Sequence, residues 1–530
     1  MTVQAEFCAT VVDEWIRGGL THAVIAPGSR STPLAIALAA RPELRIRVVL
    51  DERSAAFVAL GVGLATGRAA LVLTTSGTAA AELLPAAVEA HHARVPLLLA
   101  TADRPWEALE VRAPQTIEQT RLFDGIARFA ASPGVPDLVS ARSWRSLAAR
   151  ALIETRHNPA GPGPVHLNLP FREPLLPDLP DEMRAGRPDG GPWHRFDTSP
   201  SGLTPLGVAG RRGLVVAGAG APSAGSLQQL GWPVLADPRS GARVPHRLTV
   251  AAVDTLLRVP GFADAHKPDV VVHFGEPWAS RVLNEWLAAS NAEHVVVDPH
   301  GVWPDPQRLA MTIVRGPVAV VAEEAPEDGW VDRWTRAEAA AQRAIEQTLA
   351  MPAHAPSASA VLRGLLASAA PNETLFVASS MPIRDLEWFG APRDGVRVLS
   401  NRGANGIDGL VSTAAGIAWA VPTEPVTAVL GDLGFLHDVG GLRAAAGLEN
   451  LDYVVIDNDG GAIFDFLPQA TALDADVFRA LFTTPHGLDL DAVAASVPGV
   501  RVAVHRVLRG TAGATHEAIH AAVAAALEDV

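Results

Sequence analysis

Short hydrophobic runs that end in Gly- or Asp-containing turns alternate along the whole chain with Ala-rich stretches of helical pattern. This alternation is typical of parallel α/β sheets, because each strand must cross back through a helix before the next strand begins. The first third of the chain predicts strands at HAVIAPG, IRVVLDE, AALVLTTSGT and VPLLLATAD. The middle third predicts them at GLVVAGAGAPS, WPVLADP, DVVVHFGE and HVVVDP, and the last third at TLFVASS, VRVLSNRG, VTAVLGDLG and YVVIDNDGG.

Two stretches interrupt this alternation and divide the chain. One runs from Pro174 to Gly213 and is dense in Pro and Gly; the other covers 322–357 and contains a charged helical stretch from Trp330 to Leu349. A chain of 530 residues is also too long for a single core. We therefore expect three parallel-sheet α/β domains at about 1–180, 190–325 and 350–530.

Composition argues against several classes of function. The formal net charge of −14, without a Lys/Arg block, argues against a nucleic-acid footprint, although a local basic patch is compatible with it. Cys8 is the single cysteine, so an intramolecular disulfide cannot form. The N-terminal stretch lacks the pattern of a secretory signal, and no apolar run is long enough for a membrane span. We expect a cytoplasmic protein.

The number of lysines limits which phosphate-binding motifs and cofactors the chain can use. Lys267 is the only lysine, so the chain has no phosphate loop of the G-x-x-x-x-G-K-[ST] type. Pyridoxal-phosphate chemistry could use only Lys267, which precedes a predicted strand and is better explained as a surface residue. Any anion that binds this protein must be met by arginine, a metal ion or backbone N–H groups.

Polar residues cluster where the predicted strands end, at Asp51-Glu52 and 76–78 in the first third and at Asp432 and 457–459 in the last. Ligands of open α/β sheets gather outside the carboxyl ends of the strands. The two thirds also share one order of turn, Gly/Ala-rich helix, strand, Gly turn, helix and strand. The pattern predicts two related domains that face each other across one site.

The turn sequences GDLG and DNDGG admit two interpretations. Asp432 and Asn458 follow consecutive predicted strands, 26 residues apart. If the strands are neighbours, both side chains and the Gly460 carbonyl provide hard oxygen ligands that suit Mg²⁺ completed by phosphate and water. Alternatively, Asp432 caps the following helix and DNDGG is only a turn.

The spacing of GDL and NDG resembles the signature of thiamine diphosphate enzymes. Leu433 replaces the usual third glycine and Asp457 precedes the ligand Asn458, but neither departure removes a metal ligand. The resemblance implies a thiamine diphosphate-binding fold with pyrimidine-type, middle and diphosphate-type domains, and thiamine diphosphate with Mg²⁺, or Mn²⁺ in its place, as cofactors. It also implies that Glu52, followed by SAAFVALGVGLATG and TTSGTA, hydrogen-bonds the aminopyrimidine ring of a cofactor held by another subunit.

A narrower resemblance rests on longer motifs. The sequence is similar to the 2-succinyl-5-enolpyruvyl-6-hydroxy-3-cyclohexene-1-carboxylate (SEPHCHC) synthase family of menaquinone biosynthesis at APGSRSTPLAIA, ATADRPWE, APQTIEQTRLFDG, GPVHLNLPFREPL, SSMPIRDLEWF, NRGANGIDGLVSTAAG and DNDGGAIFDFLP. The family decarboxylates 2-oxoglutarate and adds the resulting succinyl carbanion equivalent to isochorismate. The resemblance therefore implies a transferase with dicarboxylate substrates, no nucleic-acid or membrane partner, and a homodimer or homotetramer with active sites between subunits.

The family's functional positions carry over residue by residue. The implied substrate-binding residues are Ser29, Arg30, Arg104, Gln115, Arg281, Ser380, Arg384 and Arg402. The implied cofactor-binding residues are Pro27, Glu52, Met381, Ile407, Asp432, Asn458, Gly460, Ala462, Ile463 and Phe464, with Glu52 catalytic and Asp432, Asn458 and Gly460 on the metal. Arginine suits two dicarboxylates because its planar fork binds a carboxylate through two parallel hydrogen bonds. For Arg281, an exposed helix face explains the local sequence equally well.

Two rival functions remain at this stage. GLVVAGAGAPSAG, with Asp237 after the next strand, resembles a dinucleotide-binding turn, although Ser223 occupies the third glycine position. A non-catalytic nucleotide-binding protein is one rival, and another thiamine diphosphate-dependent 2-oxo acid decarboxylase or carboligase is the second. His91 and His92 lie on a predicted helix and are interpreted as structural or surface residues.

Overall fold

The computed structural model describes residues 3–176, 183–196, 204–207, 211–316, 318–321 and 329–528. Parts of both interrupting stretches, at 177–182, 197–203, 208–210 and 322–328, lie outside the described residues. Within the described ranges the chain forms three parallel sheets of five or six strands and one two-stranded sheet.

The first sheet contains six strands in the order β2-β1-β3-β4-β6-β5. Its strands are β1 (His22–Ile25), β2 (Arg45–Val48), β3 (Ala70–Thr74), β4 (Leu97–Asp103), β5 (Phe129–Ala131) and β6 (Pro164–Pro170). The helices around it are α1 (Val3–Arg17), α2 (Thr32–Ala39), α3 (Glu52–Thr66), α4 (Thr78–Ala81), α5 (Leu84–His92) and α6 (Trp144–His157), with 3₁₀ turns at Trp106–Ala108 and Ser140–Ser143. Strands β1, β3 and β4 are buried along their whole length, which explains their unbroken hydrophobic runs.

The middle sheet has the order β10-β9-β8-β11-β12-β13. Its strands are β8 (Gly213–Ala217), β9 (Val234–Ala236), β10 (Thr249–Val250), β11 (Val270–Phe274), β12 (Glu293–Asp298) and β13 (Ala310–Arg315), while β7 (Thr204–Gly207) pairs with β14 (Val318–Val321). Its helices are α7 (Ala224–Gln228), α8 (Val253–Leu257), α9 (Pro260–Ala265), α10 (Arg281–Ala288) and α11 (Trp330–Leu349), with a 3₁₀ turn at Pro238–Ser240. The predicted charged helix is α11, which buries Trp330 and Trp334 in the middle core.

The last sheet has five strands in the order β16-β15-β17-β18-β19. They are β15 (Glu373–Val377), β16 (Val396–Leu399), β17 (Val426–Gly431), β18 (Leu451–Asp457) and β19 (Arg501–Arg506). The helices are α12 (Ala358–Ser368), α13 (Met381–Phe389), α14 (Leu410–Ala420), α15 (Asp432–His437), α16 (Leu442–Ala445), α17 (Gln469–Ala472), α18 (Ala475–Phe478), α19 (Leu490–Ala495) and α20 (Thr511–Leu527), with 3₁₀ turns at Val439–Gly441 and Ala462–Phe466 and a π-helical turn at Arg479–Thr483.

The first and last sheets share one hydrophobic core. Helix α3 packs along α14, and residues of both helices lie in a single buried cluster with strands of both sheets. Arg53, the second residue of α3, forms an ion pair with the buried Asp438 at 3.3 Å. The contact fixes the start of α3, and therefore the position of Glu52, relative to the last sheet of the same chain.

All twelve predicted strands are present, which confirms the α/β class. The missed strands are β5, β6, β7, β10, β13, β14 and β19. Strand β6 escapes prediction because it begins and ends with proline and has His166 and Asn168 in its centre. Strands β13 and β19 lie at sheet edges and are partly exposed, so their sequences lack a continuous apolar run.

Candidate active site

A cavity of about 440 Å³ opens at the carboxyl ends of the last sheet. Parallel α/β sheets bind ligands at this edge because the strands end there and the helix N-termini begin. All predicted site residues of the last third line the cavity, namely Ser380, Met381, Arg384, Arg402, Ile407, Asp432, Asn458, Gly460, Ala462, Ile463 and Phe464.

Asp432 joins the ends of two neighbouring strands. It is the first residue of α15 and directly follows β17, which pairs with β18. Its Oδ2 accepts hydrogen bonds from the backbone N–H groups of Asn458 (3.0 Å) and Gly460 (2.9 Å), and its Oδ1 accepts one from Leu433 (2.7 Å). Gly431, not Asp432, occupies the N-cap position of α15. The carboxylate therefore organises the turn after β18 and is not a simple helix cap.

Asn458 and Gly460 complete a set of oxygen donors. The side-chain Oδ1 of Asn458 is buried and accepts no hydrogen bond from the described residues. Gly460 has φ of +132°, and a Cβ at this position would lie 2.2 Å from the Thr483 carbonyl oxygen, so only glycine fits the turn. A buried amide oxygen without a donor, beside a buried carboxylate, is the arrangement expected of a hard-cation site.

His486 and Asp457 lie against this donor set, although the sequence did not single out His486. The imidazole Nε2 is 3.5 Å from both Asp432 Oδ2 and Asp457 Oδ1, and the side chain is only 8% exposed. The three residues could together hold a metal ion. However, Nδ1 accepts the backbone N–H of Leu488 at 3.0 Å, which leaves the proton of a neutral ring on Nε2. His486 is therefore better placed to donate towards the two carboxylates than to ligate a metal.

Two arginines form a cationic wall of the cavity. Arg384 donates from Nη1 to the carbonyl oxygen of Ser380 at 2.7 Å. Burial lowers the pKa of the Arg384 guanidinium, and burial together with the charges of Arg239 and Arg384 lowers the pKa of Arg402. Cations that repel each other in a partly desolvated site are stabilised by an anion between them.

The predicted residues of the first third form a second polar cluster. Arg104 donates from Nη1 to the Ser76 hydroxyl and to the Gln115 carbonyl oxygen (2.5 Å), and Gln115 Nε2 donates to the Ser76 carbonyl oxygen (3.0 Å). Arg30 donates to the Phe171 carbonyl oxygen at 3.0 Å. Burial and the nearby Arg30 charge lower the pKa of Arg104, so the two guanidinium groups belong to one cationic region.

Glu52, Pro27 and Ser29 lie at the same sheet edge as this cluster. Pro27 and Ser29 follow β1, and Glu52 is the first residue of α3, directly after its N-cap Asp51. None of the predicted residues of the first third lines the cavity of the last third in the described part of the chain. The predicted residues therefore lie in two separate clusters, called half-sites below, and Glu52 does not line the cavity of its own chain.

Arg281 lies outside both clusters. It begins α10, its side chain is 87% exposed, and it pairs with Glu285 at 2.6 Å. Just before it, the Ala279 backbone N–H donates to Glu387 of α13, the helix that also carries Arg384. The loop of Arg281 thus docks on the cavity-bearing domain, and its substrate role stays a prediction.

The middle domain does not offer a free dinucleotide site at the predicted position. Both carboxylate oxygens of Asp237 bond the Arg239 side chain, at 3.0 and 2.8 Å. Helix α7 after the Gly-rich turn has only five residues. The Lys267 side chain is 41% exposed and pairs with Asp264, which agrees with a surface role.

Family models match most of the chain. Residues 8–122 match the thiamine pyrophosphate enzyme N-terminal TPP binding domain, and residues 207–377 match the middle domain of thiamine pyrophosphate enzymes. Benzoylformate decarboxylase from Polynucleobacter necessarius superposes with a TM-score of 0.64 over 96% of this chain and 99% of that chain, at 16% identity. This likeness establishes the fold.

Curated relatives extend over nearly the full length. Proteins named 2-succinyl-5-enolpyruvyl-6-hydroxy-3-cyclohexene-1-carboxylate synthase match from Chloroflexus aurantiacus (40% identity, 97% of this chain and 90% of the relative) and Bacillus velezensis (38%, 93% and 89%). The Myxococcus xanthus protein of that name is 41% identical over 92% of this chain and 87% of its own. Across the described helices, none has the length and apolar character required to cross a bilayer. The chain belongs to the SEPHCHC synthase family, a group of thiamine diphosphate-dependent enzymes.

Proposed function

We propose that this enzyme decarboxylates 2-oxoglutarate and joins the remaining four-carbon unit to isochorismate, giving SEPHCHC and carbon dioxide. The observation that carries the proposal is a cavity that combines hard-cation oxygen donors with two partly buried arginines. A site for anionic substrates and a diphosphate needs both features, because the metal neutralises the diphosphate and the arginines neutralise carboxylates.

The metal and cofactor positions fit the residues present. Asp432, Asn458 and the Gly460 carbonyl would hold Mg²⁺, or Mn²⁺, and the unpartnered Asn458 oxygen supports this assignment. Met381, Ile407, Ala462, Ile463 and Phe464 would surround the cofactor and exclude water, with Pro27 contributed by the first domain. Thiamine diphosphate, when bound, supplies the carbon nucleophile and the electron sink for decarboxylation.

The substrate carboxylates would bind between the arginines of both half-sites. Arg384 and Arg402 come from the last domain, and Arg30 and Arg104 from the first. Ser380 has φ of +76°, a strained conformation for a non-glycine residue that clusters at functional sites. Ser29, Gln115, Ser380 and the more exposed Arg281 would add hydrogen bonds around these charges.

The active site would be completed by a second copy of the chain. Glu52 does not line the cavity of its own chain, whereas the family mechanism requires a carboxylate beside the pyrimidine. Large apolar side chains are exposed near both half-sites, including Val48 (65%) and Leu50 (73%) beside Glu52 and Leu481 (67%) beyond the metal-binding turn. Exposed apolar surface of this kind favours association of copies, so we propose a homodimer or a homotetramer built from such dimers.

The first test is direct. Purified protein is mixed with Mg²⁺, thiamine diphosphate, 2-oxoglutarate and isochorismate, and the loss of isochorismate absorbance is followed together with carbon dioxide release. We expect both signals to depend on both substrates and on the metal. Carbon dioxide released equally from monocarboxylic 2-oxo acids, without consumption of isochorismate, would favour another decarboxylase of this fold.

The nucleotide-binding alternative is disfavoured by the ion pair that occupies Asp237. It predicts that a nucleotide is retained and that carbon dioxide is not released from any 2-oxo acid. The proposal also includes the three domains at about 1–180, 190–325 and 350–530, and a cytoplasmic location.

A further inference from the structure

A buried carboxylate of the first domain holds a loop of the last domain at the edge of the cavity. Glu89 lies on α5 and is 2% exposed. Its Oε1 accepts the backbone N–H of Gly403 (2.9 Å), and its Oε2 accepts those of Ala404 (2.6 Å) and Asn405 (2.8 Å). Three consecutive N–H groups thus converge on one side chain, in the manner of an anion-binding nest.

The loop held in this way carries two residues of the cavity wall. Arg402 directly precedes the first of the three N–H donors, and Ile407 follows the last by two positions. The loop is tied at its base as well, since Ser379 Oγ donates to the Asn401 carbonyl oxygen at 2.6 Å and Asn405 Nδ2 donates to the Asp408 carbonyl oxygen at 2.8 Å. Glu89 is therefore the contact that orients the middle of the loop.

The loop also packs tightly against the end of α5. A Cβ at Gly403 would lie 2.5 Å from the Ala93 backbone nitrogen and 2.8 Å from the Glu89 carbonyl oxygen. Any larger residue at 403 would push the loop off the helix end. Two independent features, a carboxylate and a required glycine, thus hold Arg402 and Ile407 at one distance from the first domain.

We propose that Glu89 is a positioning residue for the carboligation reaction. It acts through the backbone of 403–405 to fix the Arg402 guanidinium against a substrate carboxylate and the Ile407 side chain against the cofactor. This inference rests on the proposed function, because it assigns Arg402 to the substrate and Ile407 to thiamine diphosphate. A displacement of about 1 Å in such groups is enough to lower turnover on the order of a hundredfold.

The test compares Glu89→Gln and Gly403→Ala with wild type and with the control Glu82→Gln, which replaces an exposed carboxylate just before α5. An amide at 89 directs an NH₂ group at one or two backbone N–H groups and loses those hydrogen bonds. Each protein is measured for kcat, for KM with both substrates, for the near-ultraviolet circular dichroism of bound thiamine diphosphate, and for thermal unfolding without cofactor.

We expect Glu89→Gln and Gly403→Ala, the two loop variants, each to lose kcat/KM by roughly 10- to 100-fold, with a raised KM for one substrate and an altered dichroism of the cofactor. Glu82→Gln should behave as wild type. Unchanged kcat, KM and dichroism in either folded loop variant would overturn the assignment, as would a loss of activity that only follows the loss of folded protein. If wild type itself does not consume isochorismate, the proposed function fails instead.

Discussion

The first and last domains use the same edge of a parallel sheet in different ways. In the last domain the residues after β17 and β18 converge, since one Asp432 oxygen accepts the N–H groups of Asn458 and Gly460 and the turn closes a cavity. In the first domain the equivalent edge presents Arg30, Arg104 and Glu52 without entering that cavity. One sheet edge therefore encloses a cavity, whereas the other presents charged side chains that stay outside that cavity.

Under the proposed function, the difference shows how a duplicated architecture can divide an active site. The half that would bind the metal needs short backbone-to-carboxylate contacts, which a single domain can provide by itself. The activating half needs only a few side chains at a rigid edge, and these can be delivered by another subunit.

Glu52→Gln should have the largest effect on turnover. We expect kcat to fall by roughly 10²- to 10⁴-fold, because the amide cannot share a proton with the cofactor ring. Binding of Mg²⁺ and thiamine diphosphate should persist, since their ligands lie in the other half-site. Steady-state kinetics and calorimetric titration of the cofactor measure the two quantities, and near-normal kcat would remove Glu52 from catalysis.

Asp432→Ala should weaken binding of the cofactor, whereas Glu52→Gln should lower turnover. Removing the carboxylate eliminates a metal ligand and frees three backbone N–H groups of the turn, so the Kd of thiamine diphosphate in Mg²⁺ should rise on the order of a hundredfold, about 2.7 kcal/mol. The same titration without metal gives the reference. Unchanged affinity in Mg²⁺ would mean that Asp432 only organises the turn.

Arg402→Ala should have an intermediate effect that is confined to substrates. One charge-assisted hydrogen bond contributes about 1.5–3 kcal/mol, so kcat/KM for 2-oxoglutarate or isochorismate should fall roughly 10- to 100-fold with cofactor affinity retained. Arg501→Ala is a matched control, because Arg501 is exposed and pairs with Asp452 at the opposite end of β19. Equal kinetics for both variants would place Arg402 outside the substrate site.

A buried histidine, His166, and a half-buried one, His520, should affect stability without affecting turnover. Burial lowers the pKa of His166 in the first domain to about 4, and burial with the charges of Arg258 and His516 lowers that of His520 in the last domain to about 4. The unfolded chain binds the proton more tightly, so stability is complete above pH 6.5 and falls as the pH decreases towards 4.

His166→Gln should therefore flatten the dependence of the unfolding free energy on pH in this window, by at most about 1.4 kcal/mol per pH unit. Urea unfolding of wild type and variant at several pH values measures the slope, and kcat at neutral pH should stay the same. An unchanged slope would show that His166 is protonated to the same extent in both states.

The sequence predicted the parts of this architecture that depend on local pattern. Continuous apolar runs located twelve strands, of which β2 and β16 are partly exposed, and the spacing of Asp432 and Asn458 located the turn after β18 that Asp432 holds, because strand ends and turn residues are encoded locally. The arginines of the candidate substrate site were predicted from the resemblance to a family. Helix α11 was located from its charged periodicity, but its burial against the middle core was not predicted.

Contacts between distant segments could not be predicted in this way. His486 lies 28 residues beyond Asn458 and meets Asp432 only through the fold. The partners of Glu89 could not be predicted because the N–H groups that it accepts belong to 403–405, which lie 314 to 316 positions further along the chain. The sequence does contain one signal for Glu89. It is a carboxylate among the alanines of the buried face of α5, and a buried charge requires hydrogen-bond partners.

A mixed dimer tests the divided active site most directly. Glu52→Gln and Asp432→Ala chains should each have little activity alone at a thiamine diphosphate concentration that just saturates wild type. They are co-expressed with different tags, and the hetero-dimer is isolated and assayed at that concentration. If Glu52 of one chain serves the cofactor held by Asp432 of its partner, one of the two sites is wild type and roughly half of normal turnover per dimer returns. If both groups act within one chain, every site carries a substitution and the mixed dimer stays inactive, which would contradict the account.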